Sequence, residues 1–310
     1  MDQSASVFGQ RGSALYVSFK PTLEATPITF PETEDDLTFV VAQSLVQADK
    51  HTTGPIHYNL RVVECSLAAM LLAKIFRLKE LGEDSSPLGI SLRTAQDAFF
   101  EQRGLAADNT TTDDMGFASQ LEKLSTLVED YILQEEGYTR EELSEILGLS
   151  VPELEARFMS KFPVRAERFM LRQRALHVFR EAIRVIRFKT LLDNPPSDGT
   201  LLKELGALMN DTQDSCRDVY ECSCPELDEL CTLARAAGSY GSRLTGAGWG
   251  GCSVHLVPKG KVEKVREAWT EKYYKKRFPE ITEEQLRDAI VVSKPSSGSF
   301  LFKVVGEKVV

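Results

Sequence analysis

Apolar residues recur along the chain with two different periods, and these periods predict its elements. Residues 12–19 (GSALYVSF) alternate as a strand does, and residues 39–45 (FVVAQSL) form a short apolar run typical of a buried strand. In residues 58–76 the apolar positions recur every three or four residues, which predicts a long buried helix. Residues 79–116 are mixed in pattern and rich in turn residues, so we expect a surface insertion there.

The rest of the sequence has mainly helical patterns, with strand patterns near its end. Capping signals at Thr139 and Ser150 predict two short helices, and residues 165–192 form the longest helical stretch. The apolar face of that stretch would hold Leu171, Ala175, Val178, Ala182, Val185 and Ile186. Further helices are predicted over 121–133, 201–216, 224–237 and 262–278, and strands over 253–257, 288–293 and 299–304. This order predicts an α+β fold, in which helices pack on an antiparallel sheet.

Composition narrows the class of protein without indicating its chemistry. The 310 residues carry a net charge of −9, which argues against a dedicated binder of nucleic acid or of membrane surfaces. The longest uncharged apolar run, residues 65–73, is far shorter than the roughly 20 residues that a membrane-spanning helix needs. Six cysteines do not make a disulfide scaffold, and the first 30 residues contain no secretory leader. We therefore expect a cytoplasmic protein that binds no nucleic acid and no membrane.

Basic residues are concentrated in one helical stretch of this acidic chain. Residues 161–189 hold nine Lys or Arg and two Glu. Such a stretch is either a solvated basic face or a patch that meets an anionic ligand or an acidic partner. The two short helices before it resemble a helix-turn-helix, but the second begins with acidic residues, which favours a structural hairpin.

Residues 246–251 (GAGWGG) form the most distinctive motif. The letters satisfy G-x-G-x-x-G, but a strand pattern follows the motif where a dinucleotide site needs a helix. A protein-kinase glycine loop also fits the letters, yet the chain has no H-R-D and no D-F-G segment. Four glycines in six residues permit positive φ angles and a close approach of the backbone to a ligand. The motif is therefore either a ligand-binding loop or a tight turn.

Other residues with reactive side chains give weaker indications. The spacing of the cysteines from Cys216 to Cys231 (C-x5-C-x-C-x6-C) matches no usual zinc pattern, and both of these cysteines lie in apolar helical settings. We expect no metal site in this chain. The four histidines are scattered and indicate no hydrolase triad. Asp2 is either a catalytic base or a helix cap.

Four segments together resemble galactokinases of the GHMP kinase superfamily. Residues 1–6 (MDQSAS) resemble the end of the family's G-G-x-D-Q segment, and residues 58–64 (YNLRVVE) resemble the start of one of its helices. Residues 220–228 (YECSCPELD) resemble its Y-E-x-S-C-P-E-L-D segment, and residues 241–252 (GSRLTGAGWGGC) resemble the third GHMP motif. The likeness runs through nearly the whole chain and suits the fungal and animal branch of the family.

The resemblance implies a division into domains. Residues 1–36 would be a remnant of the GHMP kinase N-terminal domain that starts at the catalytic aspartate, and residues 37–310 the C-terminal domain with a helical insertion at about 79–155. The first and second GHMP motifs are absent from this sequence. We therefore expect a truncated chain that by itself is inactive and either poorly soluble or oligomeric.

The resemblance also implies roles for individual residues. Asp2 would accept or position the proton of the sugar hydroxyl, and Tyr58 would line the galactose pocket. The third-motif loop that closes over sugar and phosphate would comprise Thr245, Gly246, Ala247, Gly248, Gly250 and Gly251. ATP and Mg²⁺ would be the cofactors, with their main contacts in the missing motifs.

Three functions are compatible with the resemblance. The first is phosphorylation of galactose at C1 by ATP. The second is a galactose and ATP sensor that relieves a transcriptional repressor in fungi without catalysis. The third is phosphorylation of N-acetylgalactosamine, since the motifs present do not separate the two sugars.

Overall fold

The chain begins with a helix and a β-hairpin. The computed structural model describes residues 2–20, 22–33, 37–47, 50–105, 114–299, 304–305 and 308–309. Helix α1 (Asp2–Phe8) leads into β1 (Ser13–Ser18), which pairs antiparallel with β2 (Glu24–Thr29). The strand predicted over residues 12–19 is therefore confirmed. One face of this hairpin packs on later helices through Ile28, which is buried with Leu192 and Leu205.

Helices built on a three-to-four residue repeat form the largest core. They are α3 (Tyr58–Ile75), α4 (Leu92–Glu101), α5 (Asp114–Tyr131), α6 (Arg140–Leu147), α7 (Val151–Phe158) and α8 (Leu171–Asp193). A short helix, α2 (Lys50–Thr53), precedes them. Helix α3 is central, because Val63, Leu67 and Ala68 are fully buried in the core. The helix starts predicted at Thr139 and Ser150 are both confirmed, and each has a capping box in which the side chain accepts from the backbone N–H three residues later.

The prediction of a surface insertion over residues 79–116 is wrong for helix α4. Leu92, Ala95, Phe99 and Phe100 of this helix are each no more than 3% exposed and belong to the largest core. A capping box between Ser91 and Thr94 starts the helix, and Asp84 accepts a hydrogen bond of 2.5 Å from the Ser91 hydroxyl. The polar residues that gave this segment its turn-like pattern therefore cap a buried helix.

A four-stranded antiparallel sheet combines an early strand with three strands from the second half of the described chain. Its strands run in the order β4 (Gly241–Leu244), β5 (Cys252–Pro258), β3 (Leu37–Gln43) and β6 (Ile290–Ser293). Val41 at its centre faces Val254 on one side and Val291 on the other. Helices α9 (Leu201–Asp218), α10 (Pro225–Ala237) and α11 (Val262–Trp269) contribute buried apolar residues to the cores beside the sheet. The predicted α+β class, with helices packed on an antiparallel sheet, is confirmed.

The end of the chain differs from its prediction. A π-helical turn (Thr270–Tyr274) and α12 (Lys275–Arg277) continue α11, and α13 (Glu283–Ala289) follows. The strand predicted over residues 288–293 begins only at Ile290, because the capping box of Thr282 and Gln285 starts a helix that runs to Ala289. Of the strand predicted over residues 299–304, residues 300–303 lie outside the described part. Short strands β7 (Val304–Val305) and β8 (Lys308–Val309) pair with each other.

Helix α8 presents its basic side to acidic residues of the same chain. Arg180 lies 2.5 Å from Glu129 and Lys189 lies 2.7 Å from Asp114, and both acids belong to α5. The cations therefore have intramolecular partners, which favours a structural role for this face. Val185, which we expected on the apolar face of the helix, is 42% exposed, because the buried stripe passes through Ile183 and Ile186 instead.

Candidate functional site

The glycine-rich segment 246–251 is a tight loop between β4 and β5. Its four glycines all have positive φ, Gly246 at 77°, Gly248 at 87°, Gly250 at 143° and Gly251 at 76°. The N–H of Gly251 donates to the Val46 carbonyl at 3.0 Å, which fixes the loop to the segment that follows β3. The sequence letters thus predicted the backbone geometry correctly, since only glycine takes these angles without strain.

The loop packs directly on the segment that follows α9. The N–H of Trp249 donates to the Cys222 carbonyl at 2.8 Å, and a Cβ atom on Gly248 would lie 1.9 Å from that carbonyl oxygen. The two motifs singled out at residues 220–228 and 241–252 therefore form one structural unit. Gly248 has no room for a side chain in this contact.

Tyr58 and the glycine loop face the same cleft. The cleft has a volume of about 470 Å³, and its lining includes Tyr58, Arg61, Arg243, Gly246, Ala247 and Trp249. Tyr58, the first residue of α3, is 48% exposed. The backbone N–H groups of Gly246 and Ala247 have no hydrogen-bond partner among the described residues. They can therefore donate to an anionic or hydroxylated ligand in the cleft.

The position of Asp2 relative to this cleft stays a prediction. Asp2 is the first residue of α1, and its side chain lies outside the described part of the chain. The helix is fixed near its end, where Gly298 donates to the Gly9 carbonyl at 2.7 Å and Ser299 donates to the Ser6 carbonyl at 3.1 Å.

A buried ionic network, which sequence reasoning missed, supports one wall of the cleft. Glu64 is fully buried, and its Oε2 atom accepts from Arg61 at 2.9 Å and from Arg174 at 2.7 Å. Arg61 also donates to the Tyr220 carbonyl at 2.6 Å, and Arg174 lies 2.5 Å from the Glu221 carboxylate. Burial opposes the charge of Arg174, but Glu64 and Glu221 raise its pKa above the ordinary arginine value. The network thus joins α3 and α8 to the segment that holds the glycine loop.

The Y-N-L-R-V-V-E segment carried the signal for this network. Its arginine and glutamate are Arg61 and Glu64, which lie three residues apart on α3 and hence on one helix face. Nothing in the sequence indicated that their partner would come from α8, more than a hundred residues later.

A second polar network sets the start of the glycine loop. The side chain of Gln213 on α9 accepts from the Leu244 N–H at 2.7 Å and donates to Asp228 at 2.8 Å. Ser223 donates to the same carboxylate at 2.7 Å. Ser223 and Asp228 belong to the second motif, and Leu244 is the last residue of β4. The hydrogen bonds therefore fix the strand from which the loop departs.

The charged side chains in the lining of the cleft are paired with one another or with neighbouring carboxylates. The described lining of the cleft includes two arginines, Arg61 and Arg243, and one carboxylate, that of Glu181. Glu181 lies 3.0 Å from Arg243 and accepts from Thr212 at 2.8 Å. Burial raises the pKa of Glu181, but Arg243 and Arg184 outweigh it and lower the pKa. A carboxylate so stabilised in its charged form is a weak base.

Histidine and cysteine side chains of the cleft are poorly suited to catalysis. Burial lowers the pKa of His177 to about 4, and its ring stacks on Tyr220 with centroids 4.3 Å apart. Burial raises the pKa of Cys65 to about 11, so this thiol stays protonated. Cys216 and Cys231 are 4% and 2% exposed and pack as small apolar residues, as we expected. The described residues contain no group of three or more His, Cys, Asp or Glu that could hold a metal ion.

Comparison with known proteins identifies these motifs. Residues 200–275 match the family model described as GHMP kinases C terminal. The chain is 41% identical over 313 residues to a Saccharomyces cerevisiae galactokinase and 41% identical over 312 residues to a Schizosaccharomyces pombe galactokinase, each match covering 98% of the chain. A Dictyostelium discoideum galactokinase is 36% identical over 294 residues, which is 89% of the chain.

The matches cover only part of each relative. The chain spans 59% of the Saccharomyces cerevisiae protein, 60% of the Schizosaccharomyces pombe protein and 53% of the Dictyostelium discoideum protein. Among solved structures, Lactococcus lactis galactokinase complexed with galactose has the same fold, with a TM-score of 0.56 at 20% identity over 96% of this chain and 54% of that one. In the described part of the chain, no helix has the length and apolar character needed to cross a membrane. The chain thus contains a GHMP kinase C-terminal region and is similar, over nearly its whole length, to galactokinases.

Proposed function

We propose that the protein carrying this chain transfers the γ-phosphoryl group of ATP to the C1 hydroxyl of galactose. The observation that carries this proposal is that Tyr58 and the third-motif glycine loop face one cleft, where the N–H groups of Gly246 and Ala247 have no hydrogen-bond partner among the described residues. The relatives that the chain matches over 98% of its length are galactokinases, and one solved structure of the same fold holds galactose.

Binding and orientation are the main tasks of these residues. Phosphoryl transfer depends mostly on holding the donor and acceptor in line and on stabilising the charge that develops on the phosphoryl oxygens. Tyr58 would contact the sugar, and the N–H groups of Gly246 and Ala247 would donate to the phosphate of ATP or to a sugar hydroxyl. Arg61 and Arg243 also line this part of the cleft, and each is paired with a carboxylate of the same chain.

Asp2 would be the proton acceptor. Glu181 is the carboxylate in the described lining of the cleft. Two arginines stabilise its charged form, so it is a weak base. The resemblance of residues 1–6 to the family's G-G-x-D-Q segment supports Asp2 as the counterpart of its catalytic aspartate. Mg²⁺ does not fit the described residues, which offer it no acidic cluster, so no step is assigned to it here.

Replacement of Asp2 tests the proposed chemistry. The assay uses the 310-residue chain and a chimera in which this chain replaces the matching part of the Saccharomyces cerevisiae galactokinase. We expect Asp2→Asn to lower kcat by at least about 100-fold, the usual contribution of a general base, and to leave the Kd for galactose unchanged. Glu263→Gln is the matched control, because Glu263 is 84% exposed on α11. Unchanged turnover in Asp2→Asn would refute the assignment of the base.

Sugar binding without turnover would have a different meaning. If the unsubstituted chimera binds galactose and ATP but releases no ADP, the protein is a galactose and ATP sensor and its partner is then sought among transcriptional repressors. Galactose and N-acetylgalactosamine are compared in the same assay, and we expect a higher kcat/KM for galactose.

A further inference from the structure

The aromatic residue of the glycine loop lies flat against the residue that precedes Tyr58. The rings of Trp249 and His57 are stacked, with centroids 4.8 Å apart and an angle of 6° between their planes. His57 immediately precedes α3, whose first residue is Tyr58. The stack is therefore a direct contact between the glycine loop and the start of the helix that carries the proposed sugar contact.

Trp249 adopts a backbone conformation that is unfavourable for a bulky residue. Its φ is 56°, in the left-handed region, although glycine occupies the neighbouring positions of the loop and takes this angle without strain. The side chain gains contacts in return. Its Nε1 atom donates to the Glu221 carbonyl at 3.0 Å, and the Arg61 guanidinium lies 5.8 Å from its ring. A residue retained at a strained position near a ligand cleft indicates a role for its side chain.

The His57 ring is held by stacking. Its Nδ1 atom is buried and has no hydrogen-bond partner among the described residues. Burial and the nearby Arg61 lower the pKa of His57, so the ring is neutral at pH 7. Trp249 belongs to the lining of the cleft, whereas His57 does not appear in that lining. A substitution at His57 would therefore alter the cleft indirectly, by shifting Trp249 and Tyr58.

We infer that His57 and Trp249 are positioning residues for the sugar, and that their stack sets the distance between Tyr58 and the glycine loop. This inference rests on the proposed function, because it concerns the galactose site of the same cleft. Neither ring takes part in the transfer step. Loss of the stack should therefore weaken galactose binding more than it slows phosphoryl transfer.

Substitutions at His57 and Trp249 separate a positioning role from a merely structural one. In the chimera we expect His57→Ala to raise the KM for galactose about three- to tenfold, the range for an aromatic pair, with kcat and the KM for ATP changed less than about twofold. His57→Phe keeps the stack and should restore the KM. Trp249→Gly removes both the ring and the strain, and it should raise the KM to a similar extent. The double variant should be no worse than either single one, because both lose the same contact.

A matched control removes an aromatic pair far from the cleft. Tyr131→Ala breaks an edge contact with Phe76, with centroids 5.3 Å apart, and neither residue lines the cleft. The KM for galactose should not change in this variant. Thermal unfolding of every variant shows whether the fold is retained.

Galactose binding can also be followed without catalysis. The chain has two tryptophans, and Trp269 is fully buried. We therefore expect galactose to change the emission of Trp249 and expect this change to disappear in Trp249→Phe.

The outcomes distinguish failure of this inference from failure of the proposed function. If the unsubstituted chimera phosphorylates galactose and His57→Ala has the same KM, the inference is wrong and the proposed function stands. If His57→Ala lowers kcat and leaves the KM unchanged, the stack acts in the transfer step and the inference is again wrong. If the folded, unsubstituted chimera neither binds nor phosphorylates galactose, both fail together.

Discussion

At the scale of single residues, the glycine loop was the most predictable feature of the site. Four glycines in six positions indicated left-handed backbone, and the structure has φ between 76° and 143° at all four. The stack of His57 on Trp249 could not be predicted, because it depends on how two distant segments meet. Residue types indicate which backbone conformations a segment can adopt, whereas a contact between distant side chains depends on the tertiary fold.

Two glycines of the loop should respond differently to the same substitution. A Cβ atom on Gly248 would meet the Cys222 carbonyl oxygen at 1.9 Å, whereas one on Gly246 meets nothing within 4 Å. Both have positive φ, so Gly246→Ala should cost only the backbone strain of about 1 kcal/mol. Gly248→Ala adds the clash and should lower the free energy of unfolding by at least about 3 kcal/mol. Urea unfolding measures both, and equal losses would contradict the packing described for Gly248.

At the scale of elements, periodicity and capping signals located most helices, and the errors have physical causes. Helix α3 was predicted because its buried positions repeat every three or four residues, and α6 was predicted from the Thr139 capping box. Helix α4 was missed because its cap uses serine, threonine and aspartate, which are also the residues of turns. Helix α13 was not predicted: residues 288 and 289 were assigned to a strand, whereas the capping box of Thr282 and Gln285 starts a helix that runs to Ala289.

Two arginines of α8 should differ greatly in their contribution to stability. Arg174 is 1% exposed and pairs with the fully buried Glu64, whereas the side chains of Arg180 and Glu129 are each more than 40% exposed. Arg174→Met leaves a buried carboxylate without this partner and should cost about 3–5 kcal/mol. Arg180→Met removes a solvent-exposed pair and should cost less than about 1 kcal/mol. Denaturant unfolding gives both values, and a small loss for Arg174→Met would contradict the role assigned to the network.

At the scale of the whole molecule, two buried histidines make stability depend on pH. Burial lowers the pKa of His255 to about 3 and of His177 to about 4, while the unfolded chain titrates near pH 6.5. The unfolded state therefore binds more protons below pH 6.5, and stability is lost as pH falls toward these values. Each histidine should contribute a loss of about 1.4 kcal/mol per pH unit in this range.

Unfolding measured between pH 7 and pH 5 tests this dependence. Carboxylates with lowered pKa, such as Glu181, contribute only below about pH 4.5, so the histidines dominate the chosen range. His255→Gln removes one of these groups, and the slope of stability against pH should become less steep, by up to about 1.4 kcal/mol per pH unit. An unchanged slope would show that His255 is not buried in its neutral form between Ser242 and Ser253.

The fold of the whole chain followed from its sequence more completely than its site did. The α+β class and the antiparallel sheet were predicted from the order of patterns, and the galactokinase resemblance agrees with relatives that the chain matches over 98% of its length. The division at residues 36 and 37 and the role of Asp2 stay predictions. The chain also spans only 59% of one such relative, so the activity is proposed for the protein that carries it.

Galactose-dependent ATP turnover by the chimera tests the central claim most directly. ADP release is recorded with and without galactose, and galactose 1-phosphate is identified among the products. The proposed function predicts turnover that requires galactose and falls at least about 100-fold in Asp2→Asn, with the product phosphorylated at C1. A folded chimera that binds galactose and ATP but forms no galactose 1-phosphate would contradict it.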